Sequence, residues 1–142
     1  MIVLDTSVLS ELMRPEPDER VVRWVDQFPY GEVFITAVTA SELRYGVARL
    51  PAGQRKELLA ARVTELLTED FDEQIMPFDH LAAEHYADIA AAREGRGNPM
   101  TMADAQVAAT CRRYGASLAT RHVKDFADTG ITVLDPWGEE AA

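Results

Sequence analysis

The chain predicts an α/β fold, a three-layer α/β/α sandwich with a mainly parallel central sheet of about five strands. Three observations carry this expectation. Short continuous apolar runs such as "IVLD" and "EVFIT" have the pattern of strands buried on both faces. Longer stretches with helical apolar spacing separate those runs. Strands that alternate with helices need crossover connections, which make neighbouring strands parallel and put helices on both faces of the sheet.

In order along the chain, "IVLD" is the first strand, and "TSVLSELM" continues at once as a helix that Thr6 or Ser7 is placed to cap, until "RPEPDE" stops it. A second helix covers residues 18–28, with Val21, Val22, Trp24, Val25 and Phe28 as its apolar stripe. "EVFIT" is the next strand. "TASELRYGVARL" then has helical spacing at Ala40, Leu43, Val47 and Leu50, with Thr39 as the expected cap. "PAGQRKELLAARVTELLTEDF" reads as one long amphipathic helix whose face is marked by Leu58, Leu59, Val63, Leu66 and Leu67. "QIMPF" is a third strand. "DHLAAEHYADIAAAREG" is a helix opened by Asp79 and closed near Gly95 and Gly97, and "TMADAQVAATCRRYG" is another that ends at Gly115. "ASLAT" and "ITVLD" are the last strands.

With 142 residues, 47% of them hydrophobic, and no repeat, low-complexity tract or linker, the expectation is a single domain over residues 1–142 with a full core. No apolar run approaches the roughly 18 residues of a membrane span, so no membrane association is expected. The opening segment lacks a basic leader and a small-residue cleavage site. A lone cysteine, Cys111, sits in an alanine-rich stretch and reads as a small core residue in a reducing cytoplasm. The net charge of -10 weighs against bulk attraction to nucleic acid. Its distribution is uneven: residues 39–62 and 112–124 are rich in Arg and Lys, whereas residues 63–80 carry acids and no Lys or Arg. Solvated helix faces, or a basic surface beside an acidic site, would each produce that pattern.

Three acids stand out. Asp5, at the end of a buried strand, is costly to bury and poor at strand formation; alone it reads as a helix cap or turn brace. Glu42, in the first turn or so of its helix, suits the helix dipole. Asp104 lies among Met102, Ala103, Ala105, Val107, Ala108 and Ala109, where the helix is expected to face the core almost all round and a carboxylate needs a partner such as a cation. All three share one address, a strand end or the first turn of a helix that follows one, and a parallel sheet brings such addresses to one edge. Carboxylates gathered there repel one another unless something positive sits between them. Hard cations with oxygen ligands, Mg2+ or Mn2+ with water completing the shell, suit such a set. Zinc does not fit, because His80, His85 and His122 are scattered and no paired Cys or HExxH spacing occurs. No GxxxxGK[ST], GxGxxG or GxSxG stretch is present either.

Four segments in order, "VLDTSVLSEL", "ITAVTASELRYGV", "MTMADAQVAATC" and "LATRHVKDF", give the sequence a resemblance to the PIN-domain family, in particular to VapC-like toxins of type II toxin-antitoxin pairs. The likeness spans nearly the whole chain. It implies that Asp5, Glu42 and Asp104 are catalytic, metal-holding acids and that Thr6 or Ser7 orients the first of them. Where relatives often carry Asn or Asp after "TR", this chain has His122, and the nearest acid is Asp125. His122 beside a ligand, or Asp125 acting through water, would fill that place. Thr120 and Arg121, with Arg44 among the local bases, are candidate RNA contacts. The resemblance further implies a Mg2+-dependent endoribonuclease in which Mn2+ can substitute, a VapB-like antitoxin partner in a heteromeric complex, and a homodimer. Two rival readings are a Mg2+-dependent small phosphoesterase and a catalytically silent interaction module whose acids merely cap helices.

Overall fold

Five strands of two to four residues form one sheet in the computed structural model, which describes residues 1–138. In chain order the elements are β1 (Ile2–Leu4), α1 (Thr6–Leu12), α2 (Glu19–Asp26), β2 (Val33–Thr36), α3 (Ala37–Ala48), α4 (Gln54–Glu65), β3 (Ile75–Met76), α5 (His80–Gly95), α6 (Met102–Tyr114), β4 (Ser117–Ala119) and β5 (Val133–Leu134). The strands lie in the order β3-β2-β1-β4-β5, and every pairing is parallel. This is the layered α/β architecture that the alternation of runs predicts.

Side chains that alternate across the central strands feed two cores. Val3 and Leu118, opposite one another in the sheet, pack with Met76 against Ile89, Val107 and Ala108 of α5 and α6. Their neighbours Leu4 and Ala119 turn the other way and join Val8, Val21, Leu43 and Val63 from α1 to α4. Val3, Leu4 and Leu118 are 0–1% exposed, and each such side chain contributes roughly 1.5–3 kcal/mol of burial. That gain is large enough to carry a costly carboxylate directly after β1.

From β1 the chain steps outward to β2 and β3, then returns to the far side of β1 for β4 and β5. The reversal falls between β1 and β4. Loops leaving the carboxyl ends of such a strand pair diverge to opposite faces and open a crevice between them. Asp5 follows β1 and Thr120 follows β4, so both residues stand at that crevice.

Several local expectations are corrected. Thr6 and Ser7 do not cap α1; they are its first two residues, and Asp5 holds the cap position without a side-chain cap bond. Thr39 is not the cap of α3. Thr36 is, its hydroxyl accepting from the Thr39 N–H at 3.1 Å, so the helix begins at Ala37 and Glu42 lies in its second turn, beyond the reach of the dipole at the first. The long helix predicted from "PAGQ" to "EDF" begins at Gln54 and changes character at Leu66. A wider π turn over Leu66–Asp70, closed by the Phe71 N–H on the Leu66 carbonyl at 2.9 Å, turns Leu67 and Phe71 into the core. The first turn of α6 is not buried all round: Met102 is exposed and Asp104 half-buried, and the helix enters the core only from Ala105 onward. At its other end Gly115 adopts the left-handed conformation (φ 66°, ψ 30°) that an L side chain resists, which lets the chain turn directly into β4.

Candidate active site

Asp5 has only 6% of its surface exposed, and its carboxylate does not cap the helix that follows. Its Oδ2 accepts hydrogen bonds from the Thr120 hydroxyl at 2.7 Å and from the Ser7 hydroxyl at 3.2 Å. One donor comes from the loop after β4 and the other from α1, so the carboxylate is fixed across the gap where the strand order reverses. The same joint is tied through the backbone. Asp5 N–H donates to the Ala119 carbonyl at 2.9 Å, Arg121 N–H to Ser7 Oγ at 3.2 Å, and His122 N–H to Thr120 Oγ1 at 3.0 Å.

Glu42 reaches the cluster from α3, where its Oε1 accepts from the Thr6 hydroxyl at 2.9 Å. The adjacent hydroxyls of Thr6 and Ser7 thus serve different acids, Glu42 and Asp5 respectively. Asp104 comes from the first turn of α6, where Thr101 Oγ1 caps the helix by accepting from the Asp104 N–H at 3.2 Å.

Among the described residues the three acids do not close into a metal cage, but their charges act on one another. Burial pushes the Glu42 carboxyl above the ordinary 4.5, the Asp5 and Asp104 charges push it further, and the Thr6 hydrogen bond acts the other way. Burial likewise raises Asp104 above 3.8, helped by the charges of Asp5 and then Asp125, while the Thr101 side chain and His122 pull it down. His122 and Asp125 thus both act on Asp104 through their charges, in opposite directions. Among the described residues, none of the ion pairs formed by Arg, Lys or the amino terminus involves Asp5, Glu42 or Asp104. The set is anionic, oxygen-only at its centre, and uncompensated by a basic side chain at ion-pair distance.

Arg44 is not drawn in. Two positions from Glu42 on one helix, it points to a different face, is exposed, and has Nη1 3.5 Å from Thr64 Oγ1 on α4. Two other residues had no place in the sequence reading. Thr101 is legible in retrospect, because "TMAD" has the spacing of a capping threonine with an acid three residues on. Arg93 is not. Only 3% exposed, it donates to the carbonyls of Asn98, Asp125 and Ala127 at 2.8–3.2 Å and so clamps the turn that carries Asp125. Cys111 is buried, and that burial, with the charge of Asp5, pushes its thiol up to about 12, which makes it an inert core group.

A parallel sheet whose switch point presents the buried Asp5 with the half-buried Glu42 and Asp104 nearby defines an α/β protein with a group of carboxylates at its carboxyl edge. Residues 2–131 match the PIN domain, and the chain belongs to that family. It is 39% identical over 137 residues to Toxin FitB of Neisseria gonorrhoeae (strain ATCC 700825 / FA 1090), an alignment that covers 96% of this chain and 99% of FitB. It is 36% identical over 137 residues to the VapC ribonuclease Y4jK of Sinorhizobium fredii (strain NBRC 101917 / NGR234), covering 96% and 98%. Its fold superposes on a chain of the structure of FitAB bound to an IR36 DNA fragment with a TM-score of 0.90 at 38% identity, covering 99% of this chain and 98% of that one. PIN-domain VapC nucleases are metal-dependent enzymes. No helix among the described residues is long and apolar enough to cross a membrane.

Proposed function

We propose that residues 1–142 form a single PIN-like nuclease domain, an endoribonuclease that is the toxin of a type II toxin-antitoxin pair; the last four residues of that span lie outside the described residues. The observation that carries this reading is the uncompensated triad of Asp5, Glu42 and Asp104 at the switch point of the sheet. Identity to a VapC ribonuclease and to Toxin FitB over nearly the full length of each supports it.

The donor set suits Mg2+, with Mn2+ as a substitute. Among the described residues no three His, Cys, Asp or Glu side chains converge tightly enough to hold an ion by protein ligands alone. That arrangement fits a cation which keeps several waters and is held by one or two carboxylates and a substrate phosphate. Asp5 and Asp104 are the proposed ligands, with Glu42 beside them. A cation bound there supplies positive charge at the attacked phosphate and lowers the pKa of the attacking water. The chain's own contribution is placement. Ser7 and Thr120 fix the Asp5 carboxylate, Thr6 fixes Glu42, and the half-buried Asp104 faces the solvent from which the substrate arrives. Thr120 is 0% exposed and spends its hydroxyl on Asp5, which corrects the expectation that it contacts RNA and leaves it a brace for that acid. Arg121 is exposed and stays a candidate RNA contact, and the exposed His122 and Asp125 act on Asp104 through their charges.

Thr120→Val removes the shorter of the two hydroxyl bonds to Asp5 while keeping the shape of the side chain. Partners of this kind typically govern 10–100-fold in metal affinity or activity, so a loss of about that size is expected in cleavage titrated against Mn2+. A loss recovered at saturating metal identifies the affinity component.

A toxin needs a neutralising partner, and the FitAB assembly contains a chain 38% identical to this one. We accordingly infer a VapB-like antitoxin, a heteromeric complex with it, a homodimeric toxin core and a cytoplasmic site of action. The decisive test offers the purified protein total RNA and a generic phosphate monoester side by side in Mg2+. Discrete RNA ends without monoester turnover are expected. Monoester turnover alone would establish the phosphoesterase instead, and inertness on both, with no Mn2+ binding by calorimetry, the silent module.

A further inference from the structure

We propose that Trp137 is a positioning residue whose indole holds the guanidinium of Arg121, the residue next to the hydroxyl that bonds Asp5, poised to bind a phosphate of the RNA strand. This rests on the ribonuclease reading for its substrate and adds a residue that the sequence patterns do not mark.

Arg121 is bound into the site through its backbone. Its N–H donates to Ser7 Oγ, which donates to Asp5, and the preceding Thr120 donates to Asp5 directly. Its side chain is not left to wander: the guanidinium carbon lies 4.9 Å from the centroid of the Trp137 ring. An arginine stacked on an indole keeps its planar edge of N–H donors free, the geometry that matches two oxygens of a phosphate.

The platform itself is fixed. Trp137 is 8% exposed and packs into the core shared with α1 and α2. Its backbone N–H donates to Asp135 Oδ1 at 2.9 Å, and its backbone carbonyl accepts from Arg20 Nη1 at 2.8 Å. Arg20 is in turn locked to Asp18 through Nε at 3.2 Å and Nη2 at 2.8 Å.

Those contacts also explain why Arg121 stays available. Asp18 is near enough for the Arg121 charge to act on it, yet its carboxylate is already engaged by Nε, Nη2 and the backbone N–H of Arg20. Among the described residues Arg14, Arg20, Arg96 and Arg113 pair with carboxylates, and Arg121 does not. A chain with a net charge of -10 has few cations to offer a polyanion. Here one is exposed, unpaired and held in place one residue from a hydroxyl that bonds the buried Asp5.

The test uses the full chain carrying Asp104→Asn, a fluorescein-labelled single-stranded RNA oligonucleotide in Mg2+, and fluorescence anisotropy, with thermal melts for every variant. Arg121→Ala is expected to weaken binding about tenfold and to make the slope of log affinity against log salt shallower by about 0.7. Trp137→Leu, which fills the space without a π face, should weaken it about threefold to fivefold, and Trp137→Phe should recover to within about twofold of the parent. The double variant Arg121→Ala/Trp137→Leu should bind no worse than Arg121→Ala alone, because the tryptophan acts only through the arginine. In steady-state cleavage by the otherwise native chain, the same changes should raise KM and leave kcat within about twofold. Arg121→Lys, which leaves position 137 untouched, should bind at least about threefold more weakly despite its charge, and it keeps the proposal testable if Trp137→Leu does not fold. Full additivity in the double variant, or a lysine variant equal to the parent, overturns the positioning role. Unchanged RNA binding in Arg121→Ala overturns it too. If the native chain cleaves no RNA while the binding pattern holds, the ribonuclease reading fails and the positioning role stands.

Discussion

Asp104→Asn is expected to abolish metal-dependent RNA cleavage and, at the same time, to raise the thermal stability of the metal-free protein. The first effect follows from the donor set. Losing one of the carboxylates proposed to hold the cation would remove several kcal/mol of stabilisation from the transition state, and at about 1.4 kcal/mol per power of ten that is on the order of a thousandfold or more. The second effect follows from the raised pKa. Burial and the negative charges of Asp5 and Asp125 make the ionised form of Asp104 costlier in the folded chain than in the unfolded one, and asparagine is a permanently neutral isostere. The side chain is only half-buried, so solvent screens much of the repulsion, and a Tm increase of about 1–3 °C is the scale to expect. Asp5→Asn should match the loss of activity without the gain, because the Ser7 and Thr120 hydroxyls both donate to that carboxylate and an amide accepts less well. Single-turnover cleavage and a melting curve on each variant decide the matter. Full activity in Asp104→Asn would sink the assignment, and activity lost together with stability would place the residue among the structural acids.

How legible this site is in the sequence depends on how local each contact is. The alternation of apolar runs and helical stretches is a local pattern, and it suffices for the parallel sheet and for the convergence of Asp5, Glu42 and Asp104 at one edge. Capping is also local, yet Thr36 and Thr39 both precede helical spacing, and only the bond from Thr39 N–H to Thr36 Oγ1 settles which one opens α3. The consequence is functional: it moves Glu42 into the second turn and removes the dipole as a reason for its presence. The bonds that hold the site together span 36 residues between Thr6 and Glu42 and 115 between Thr120 and Asp5. No periodicity reports such pairs. Arg93 and Trp137 are hidden for the same reason, since their partners, backbone carbonyls for the one and the Arg121 guanidinium for the other, are brought near by the fold rather than by spacing. The π turn after Glu65 escapes for a different one: its residues continue an amphipathic helix without a break, and packing of Leu67 and Phe71 decides the winding.

Removing the metal should reduce cleavage to background, and the strength of metal binding should fall steeply on mild acidification. Glu42 and Asp104 both titrate above their ordinary values of 4.5 and 3.8, and a carboxylate must give up its proton to hold a cation. Protons therefore begin to compete with Mn2+ at higher pH than they would at ordinary carboxylates. Where both groups are mostly protonated, the apparent affinity should drop by more than about tenfold per pH unit. The stability of the metal-free chain runs the opposite way. Between the ordinary and the raised pKa the folded state binds more protons than the unfolded one, so these two groups lower stability as pH rises through that window and restore it as pH falls. Cation binding reverses the sign, adding about 2.7 kcal/mol at a hundred times the dissociation constant, and it does so most strongly where the acids are ionised. Melting curves taken upward in pH from the ordinary values of 3.8 and 4.5, with chelator and with Mn2+, should therefore diverge as pH increases. In Asp104→Asn the metal-free curve should lose part of its dependence on pH, and the separation produced by Mn2+ should shrink. A metal-induced shift that is flat across this range, or that survives intact in Asp104→Asn, would place the bound cation away from these carboxylates.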